Sequence, residues 1–151
     1  MKILAITGNR ADYDLLSYLY KLLDQDPEVD FRILVTGAHL SHAFGYSKSA
    51  IEKDGLKILG TIENILNADS PKSRIKAASI FLMNAIDLVD TFRPDLLLLA
   101  GDREEVLAGG MLGAYMTIPT IHFFGGDHVA DGHVDNPARS AASKLATCHF
   151  V

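Results

Sequence analysis

Two aspartates stand where a pair of carboxylates could transfer protons. Asp102 follows four consecutive leucines in a Gly-Asp-Arg turn, and Asp135 precedes Asn136 and Pro137. Two carboxyl groups in one crevice can have their pKa values pushed apart, which provides an acid and a base. The alternative is that both residues only cap the helices that follow them. The sequence leaves both interpretations open.

Glycine-bearing turns with polar residues close four predicted strands: Gly8-Asn9-Arg10, Gly37-Ala38-His39, Gly101-Asp102-Arg103 and Gly125-Gly126-Asp127. The carboxyl ends of parallel strands meet at one edge of a sheet, which is where open α/β folds bind ligands. Glycine lets the backbone approach a ligand closely. Arg10 and the helix N-termini are the candidates for holding phosphate oxygens at this edge.

Several familiar sites are missing from the sequence. The first glycine turn lacks a dinucleotide fingerprint, no Gly-Lys-Ser/Thr follows a glycine-rich loop, and there is no Gly-x-Ser-x-Gly elbow. The spacing of the histidines at 122, 128, 133 and 149 matches no compact metal motif, so polar or substrate contacts are favoured over a metal. We therefore expect neither a cofactor nor a metal.

Alternating strand and helix patterns surround these turns. Buried strands are predicted at residues 3–7, 31–35, 56–59, 96–99, 118–124 and 148–151. Helices are predicted between residues 9 and 26 and at 48–53, 73–92, 104–116 and 137–145, with a mobile loop at 63–71. This order predicts an α/β fold with a doubly wound parallel sheet and right-handed crossovers.

Composition limits the class of protein. The chain has 151 residues, 48% of them hydrophobic and 22% charged, which fits one globular domain. A net charge of −5 without a basic cluster argues against a nucleic-acid partner, and no stretch has transmembrane length. The single cysteine, Cys148, excludes an internal disulfide, and we expect it to be buried in the last strand of a cytoplasmic protein. Because the chain ends within a strand pattern, we also expect a domain of a longer protein.

The ordered set of turns resembles the N-terminal half of the UDP-N-acetylglucosamine 2-epimerase family, especially its hydrolysing branch. The resemblance runs through all 151 residues. It is carried by Thr7-Gly8-Asn9-Arg10-Ala11-Asp12-Tyr13, Val35-Thr36-Gly37-Ala38-His39-Leu40-Ser41, Phe44-Gly45, Ile51-Glu52-Lys53-Asp54-Gly55, Gly101-Asp102-Arg103 with Glu105, Ile118-Pro119 with His122, Gly125-Gly126-Asp127, and Asp135 with Arg139 and Lys144-Leu145.

The resemblance implies two Rossmann-like domains facing across a cleft, the glycosyltransferase-B arrangement. Residues 1–151 would form the N-terminal domain with the catalytic residues, and a C-terminal UDP-binding domain would be missing from this chain. The implied reaction eliminates UDP from UDP-N-acetylglucosamine and hydrates the product to N-acetylmannosamine, as in amino-sugar metabolism and sialic acid biosynthesis. A homo-oligomer is also implied. A binding relative without catalysis and a glycosyltransferase of the same fold are the alternatives.

The resemblance also implies roles for individual residues. Asp102 and Asp135 match catalytic carboxylates, and the matching substrate-binding positions are Arg10, His39, Arg103, His122, Gly126, Asp127 and Arg139. Phe124 stands where the family's His-x-Glu-Gly-Gly motif carries a third carboxylate. Asp127, His128 and Asp131 are the candidates to compensate for it. We expect the isolated chain to be poorly active, because half of the cleft is missing.

Overall fold

The computed structural model describes residues 1–68, 70–126, 128, 130 and 135–151. Within these residues, six parallel strands form one sheet: β1 (Lys2–Thr7), β2 (Asp30–Thr36), β3 (Ile58–Ile62), β4 (Leu96–Ala100), β5 (Thr120–Phe123) and β6 (Cys148–Phe150). The described part of the chain also contains five α-helices: α1 (Arg10–Gln25), α2 (Lys48–Lys53), α3 (Pro71–Phe92), α4 (Glu104–Tyr115) and α5 (Asp135–Leu145).

The strands lie in the order β3-β2-β1-β4-β5-β6. The chain therefore builds one half of the sheet outward from β1, crosses back through α3, and builds the other half outward from β4. Ala5 of β1 is paired with Leu98 of β4 at the place where the strand order reverses. Such a switch point opens a crevice beyond the carboxyl ends of the strands, and ligands of doubly wound sheets bind there.

Strand β4 shows why a continuous apolar run forms a central strand. Leu97 and Leu99 point into a core shared with α3, α4 and α5. Leu98 and Ala100 point to the opposite face, into a core shared with α1 and α2. Since both faces of the sheet are covered, each position of the run is apolar and the period of two is hidden.

Local signals set the starts and ends of the helices that reach the site. Asn9 caps α1, its side chain accepting a hydrogen bond from the backbone N–H of Asp12 at 3.0 Å. Ser70 and Ser73 form a reciprocal capping box at the start of α3, with Pro71 as the first helical residue. The same helix ends at Arg93, whose φ of 53° turns the chain before Pro94.

The fold class, all six strands and all five helices are confirmed, with shifted bounds. Strand β3 runs from Ile58 to Ile62 and not over 56–59, because Leu56 packs into the core before the strand begins. Two short 3₁₀ turns, Gly37–Leu40 and His42–Phe44, follow β2 and were not predicted. The prediction that residues 63–71 are mobile stays untested.

The predicted burial of Cys148 is wrong. The residue lies in β6 as expected, but β6 is the outermost strand of the sheet and the thiol is exposed. Nothing in the sequence distinguishes an edge strand of this length from a central one. Within the described part of the chain, no helix combines the length and apolar character that crossing a bilayer requires.

Candidate active site

The carboxylate of Asp102 lies directly beyond the end of β4 and is held by an arginine. Gly101, with a φ of 87°, turns the chain out of the strand, and Asp102 then forms an ion pair with Arg139 of α5. The Arg139 side chain is only 10% exposed and that of Asp102 is 22% exposed. The pair is thus largely shielded from water, in a geometry that fixes the direction of the carboxylate.

Asp135 belongs to a second network centred on Arg74 of α3. The Arg74 Nη2 atom lies 2.9 Å from a carboxylate oxygen of Asp135 and 2.9 Å from one of Glu104. Asp135 and Glu104 are the first residues of α5 and α4. Arg74 therefore ties the starts of two helices together and holds Asp135 at the carboxyl edge of the sheet.

The two networks meet at the first turn of α5. Asp135 and Arg139 are four residues apart, so their side chains project from the same face of the helix. Arg139 binds Asp102 while Asp135 binds Arg74. The structure thus places Asp102, Asp135 and Arg139 around the first turn of α5, with each aspartate paired with an arginine.

Asp12 adds a third carboxyl group beside Asp102. It is hydrogen-bonded to the Asn9 amide and packs against Gly101, where an added Cβ would lie 2.8 Å from an Asp12 oxygen. Burial raises the pKa of Asp12 to about 6, and the charge of Asp102 adds to this effect while the Asn9 hydrogen bond opposes it. Asp12 therefore titrates close to neutral pH at the switch point.

Glu105 is buried beneath the turns that follow β1 and β2. It is 5% exposed, and a Cβ on Gly8 would overlap its carboxyl oxygen. A Cβ on Gly37 would lie 3.1 Å from that oxygen and 2.5 Å from the Gly8 carbonyl oxygen. Burial raises the pKa of Glu105 to about 7. These contacts explain why both turns carry glycine, since no larger residue fits above this carboxyl group.

His39 is enclosed by protein. Its Nε2 lies 2.9 Å from the Thr7 hydroxyl and its Nδ1 lies 2.8 Å from the Ser47 hydroxyl. Burial lowers the pKa of His39 to about 4, so the ring is neutral at physiological pH. Direct contact with a substrate would require breaking one of these bonds. In this arrangement His39 joins the end of β1 to the segment before α2.

His122 is held in a similar way on the other side of the switch point. Its Nε2–H donates to the Gly101 carbonyl oxygen at 2.7 Å, which leaves Nδ1 to accept from the Ser143 hydroxyl at 3.0 Å. Burial lowers the pKa of His122, although the hydrogen bond to Gly101 opposes that shift. His122 thus joins the Gly101 turn to α5.

The remaining predicted residues lie toward the open edge. Arg10 begins α1 with its side chain 75% exposed, and its Nε lies 3.2 Å from Asp14. Arg103 precedes α4 and borders a cavity. Gly126, with a φ of 82°, follows β5. Asp127 and Asp131 lie outside the described residues.

Phe124, where the resemblance expects a carboxylate, follows β5 with a φ of 61° and is 37% exposed. This backbone conformation is uncommon for a residue with a side chain. The aromatic ring cannot transfer a proton, so proton transfer at this edge depends on other groups.

Two neighbouring cavities open at the carboxyl edge of the described chain. One, of about 700 Å³, lies between the 3₁₀ turns after β2 and the segment before α3. The other, of about 840 Å³, lies between that segment, the first turns of α3 and the start of α4. Among the residues that the structure describes, no group of three or more His, Cys, Asp and Glu side chains is placed to hold a metal ion.

Sequence reasoning missed Arg74, and assigned no role to Asp12 or Glu105. Asp12 and Glu105 stand inside the motifs quoted above, and the glycines packed against them were a usable signal. Arg74 gave none, because it is one charged residue on a long amphipathic helix. Its role depends on where α3 crosses the sheet.

Fold and site together define a doubly wound α/β domain with arginine-held carboxylates at its switch point. A family model described as UDP-N-acetylglucosamine 2-epimerase matches residues 21–151. The chain belongs to this family.

Two curated relatives carry related names. The UDP-N,N'-diacetylbacillosamine 2-epimerase (hydrolyzing) of Legionella pneumophila is 37% identical over 150 residues, which cover 99% of this chain and 39% of the relative. The GDP/UDP-N,N'-diacetylbacillosamine 2-epimerase (hydrolyzing) of Campylobacter jejuni is 33% identical, with 99% and 38% covered. The chain thus spans about two fifths of the length of these relatives.

A solved structure supports the fold. The UDP-GlcNAc 2-epimerase from Neisseria meningitidis, crystallised with UDP-GlcNAc, superposes with a TM-score of 0.84 at 19% identity. The superposition covers the whole of this chain and 40% of that one.

Proposed function

We propose that this chain is the N-terminal domain of a hydrolysing 2-epimerase that acts on a UDP-linked 2-acetamido sugar. In the intact protein, a second domain that binds UDP would close the cleft over the carboxyl edge of the sheet. Support for the second domain comes from length, because the chain spans about two fifths of the relatives it matches. Support for the substrate class comes from the family and from the names of those relatives.

One observation carries the proposal: Asp102 and Asp135 lie at the carboxyl edge of the sheet, and each forms an ion pair with an arginine. A carboxylate that removes a proton from carbon must be aimed at that carbon, and an ion pair with a well-placed arginine fixes the direction of the carboxylate.

The proposed reaction has two steps. In the first, one carboxylate takes the proton from C2 of the sugar while the C1–O bond breaks and UDP leaves with the electron pair, which gives a 2-acetamidoglycal. In the second, water adds its oxygen to C1 and loses a proton to a carboxylate, while C2 receives a proton on the opposite face. The products are UDP and the C2 epimer, which is N-acetylmannosamine when the substrate is UDP-N-acetylglucosamine.

Other residues of this chain would bind and orient. Arg10 is exposed at the start of α1, and an exposed ion pair such as Arg10–Asp14 contributes little, so its guanidinium is free to meet a diphosphate. Arg103 is the second candidate for this role, and Gly126 and Asp127 remain proposed contacts with substrate. His39 and His122 would act by holding the turns after β1 and β4 in place.

The proposal is tested by measuring UDP release from UDP-N-acetylglucosamine by the intact protein that carries this domain. We expect UDP release without any acceptor sugar. The rate of UDP release should fall by at least about 100-fold in the Asp102→Asn and Asp135→Asn variants. Asp87→Asn, on the exposed face of α3, is the matched control. Release only with an acceptor would indicate a glycosyltransferase. Binding without turnover would indicate a relative in which the residue change at Phe124 accompanied loss of catalysis.

A further inference from the structure

The turn that carries Asp102 is held by hydrogen bonds to both sides of its backbone. Gly101, with a φ of 87°, follows β4, and a glycine does not by itself fix the direction of the next residue. The Gly101 N–H donates to the Phe123 carbonyl oxygen at 3.2 Å, and the Gly101 carbonyl oxygen accepts from His122 Nε2 at 2.7 Å. Both partners belong to β5, the strand beside β4. The position of Asp102 therefore depends on how firmly the His122 ring is held.

The His122 ring is held in turn by Ser143 of α5. His122 is fully buried, and its Nε2 donates to a carbonyl oxygen, so Nδ1 of the neutral ring is an acceptor. The Ser143 hydroxyl lies 3.0 Å from Nδ1 and donates to it. Without this hydroxyl, the ring would lose one of its two anchoring hydrogen bonds and Nδ1 would be left as a buried acceptor.

Gly125 leaves room for the hydrogen bond between the serine and the histidine. A Cβ at Gly125 would lie 2.5 Å from Ser143 Oγ and 2.9 Å from His122 Nδ1. A larger residue would therefore displace the hydroxyl or the ring. Gly125 does not have a positive φ, so close packing, and not the backbone conformation, requires glycine at this position.

One side of α5 reaches both proposed proton-transfer groups. Asp135, Arg139 and Ser143 are spaced by four residues and lie along one side of the helix. Arg139 binds the carboxylate of Asp102. Ser143 holds the His122 ring, which binds the carbonyl oxygen of the residue before Asp102. Asp102 is thus held at its carboxylate and, through the ring, at its backbone by the same helix that begins with Asp135.

The structure assigns Ser143 as a positioning residue for Asp102, acting through the His122 ring. This inference rests on the proposed function, in which Asp102 is one of two carboxylates that transfer protons. Such a transfer depends on the direction of the carboxylate, and a misplacement of about 1 Å can slow a reaction about 100-fold. Ser143 acts from behind the ring and does not bind the sugar. Its removal should therefore slow the chemical step without weakening substrate binding.

The test measures UDP release from UDP-N-acetylglucosamine by the intact protein that carries this domain. We expect Ser143→Ala to lower kcat about tenfold and to leave KM unchanged, because a buried acceptor loses its partner. Ser143→Thr keeps a hydroxyl at this position and should restore most of the rate. Ser79→Ala makes the same change on the exposed face of α3 and should leave kcat unchanged.

A double variant tests whether Ser143 and Arg139 act on the same group. If both hold Asp102 in one position, the loss of kcat in Arg139→Met combined with Ser143→Ala should be smaller than the product of the separate losses. The ¹⁵N signal of His122 Nδ1 should also move downfield in Ser143→Ala, because this nitrogen loses its hydrogen bond.

Failure of the inference can be told apart from failure of the proposed function. Wild-type kcat in Ser143→Ala, a raised KM alone, or an unchanged Nδ1 signal would overturn the positioning role while leaving a 2-epimerase in place. Separate losses that multiply in the double variant would also overturn it. A folded wild-type protein that releases no UDP would contradict the proposed function, and the role of Ser143 with it, even where the Nδ1 signal confirms the hydrogen bond.

Discussion

Replacement of Glu105 by glutamine should stabilise the domain at neutral pH and leave it unchanged in acid. Glu105 is 5% exposed beneath Gly8 and Gly37, and burial raises its pKa from 4.5 to about 7. Glutamine has the shape of the protonated side chain, so it reproduces the neutral form and removes only the ionisation. The difference in stability between the two proteins therefore measures the free-energy cost of ionising Glu105 beneath the two turns.

The direction in which stability changes with pH follows from the number of protons that the native and unfolded states bind. Between pH 4.5 and 7 the unfolded chain has lost this proton while the native protein keeps it, so stability falls as the pH rises through that window. Above pH 7 both states are ionised and the loss levels off. The difference between 4.5 and about 7 corresponds to about 3 kcal/mol at 25 °C. For a domain of this size, that is a rise in Tm of about 6–12 °C.

The assay is thermal and urea unfolding of the chain and the Glu105→Gln variant at pH 4, 6 and 8. We expect the two stabilities to coincide at pH 4, to diverge through pH 6, and to differ fully at pH 8. Glu28→Gln, an exposed carboxyl far from the site, controls for the change in net charge. Equal stabilities at all three pH values, or a less stable variant at pH 8, would refute the reasoning about this buried carboxyl.

Three further predictions follow from the site geometry. Gly8→Ala should cost about 1–3 kcal/mol in urea unfolding, because its Cβ overlaps Glu105, and a second change of Glu105 to alanine should recover part of that loss. Arg139→Met should lower kcat/KM of the intact protein about 100-fold by releasing Asp102, whereas Lys76→Met on exposed α3 should not. The pKa of His122 should lie below the ordinary value of 6.5, with the proton of the neutral ring on Nε2, and a ¹⁵N NMR titration with its midpoint at or above 6.5 would contradict the burial argument.

The parts of the fold that depend on local pattern could be predicted from the sequence. The run of leucines after Pro94 and Asp95 predicted β4, and its burial on both faces of the sheet is what the structure shows. The glycine turns correctly located the ends of four strands. The observed bounds of a strand differ from the predicted ones where hydrogen bonding to the neighbouring strand sets them. Strand β3 is an example, because it pairs with β2 through a register shift between Ile33 and Leu34.

The parts of the site that depend on crossing elements could not be predicted. Arg74 meets Asp135 across 61 residues, and only the path of α3 over the sheet brings them together. The sequence placed His39 in a turn after a strand and His122 within a strand, where the structure has them, but their burial and their serine and threonine partners come from packing between elements. Roles in catalysis and binding stay predictions for every site residue.

The most direct measurement is turnover of UDP-N-acetylglucosamine in D₂O by the intact protein that carries this domain. We expect UDP release with one deuterium at C2 of the freed sugar and inverted configuration at that carbon, both lost in Asp102→Asn. A freed sugar that keeps its C2 hydrogen and its configuration would show simple hydrolysis of the C1–O bond. That result would contradict elimination at the carboxylates of this domain.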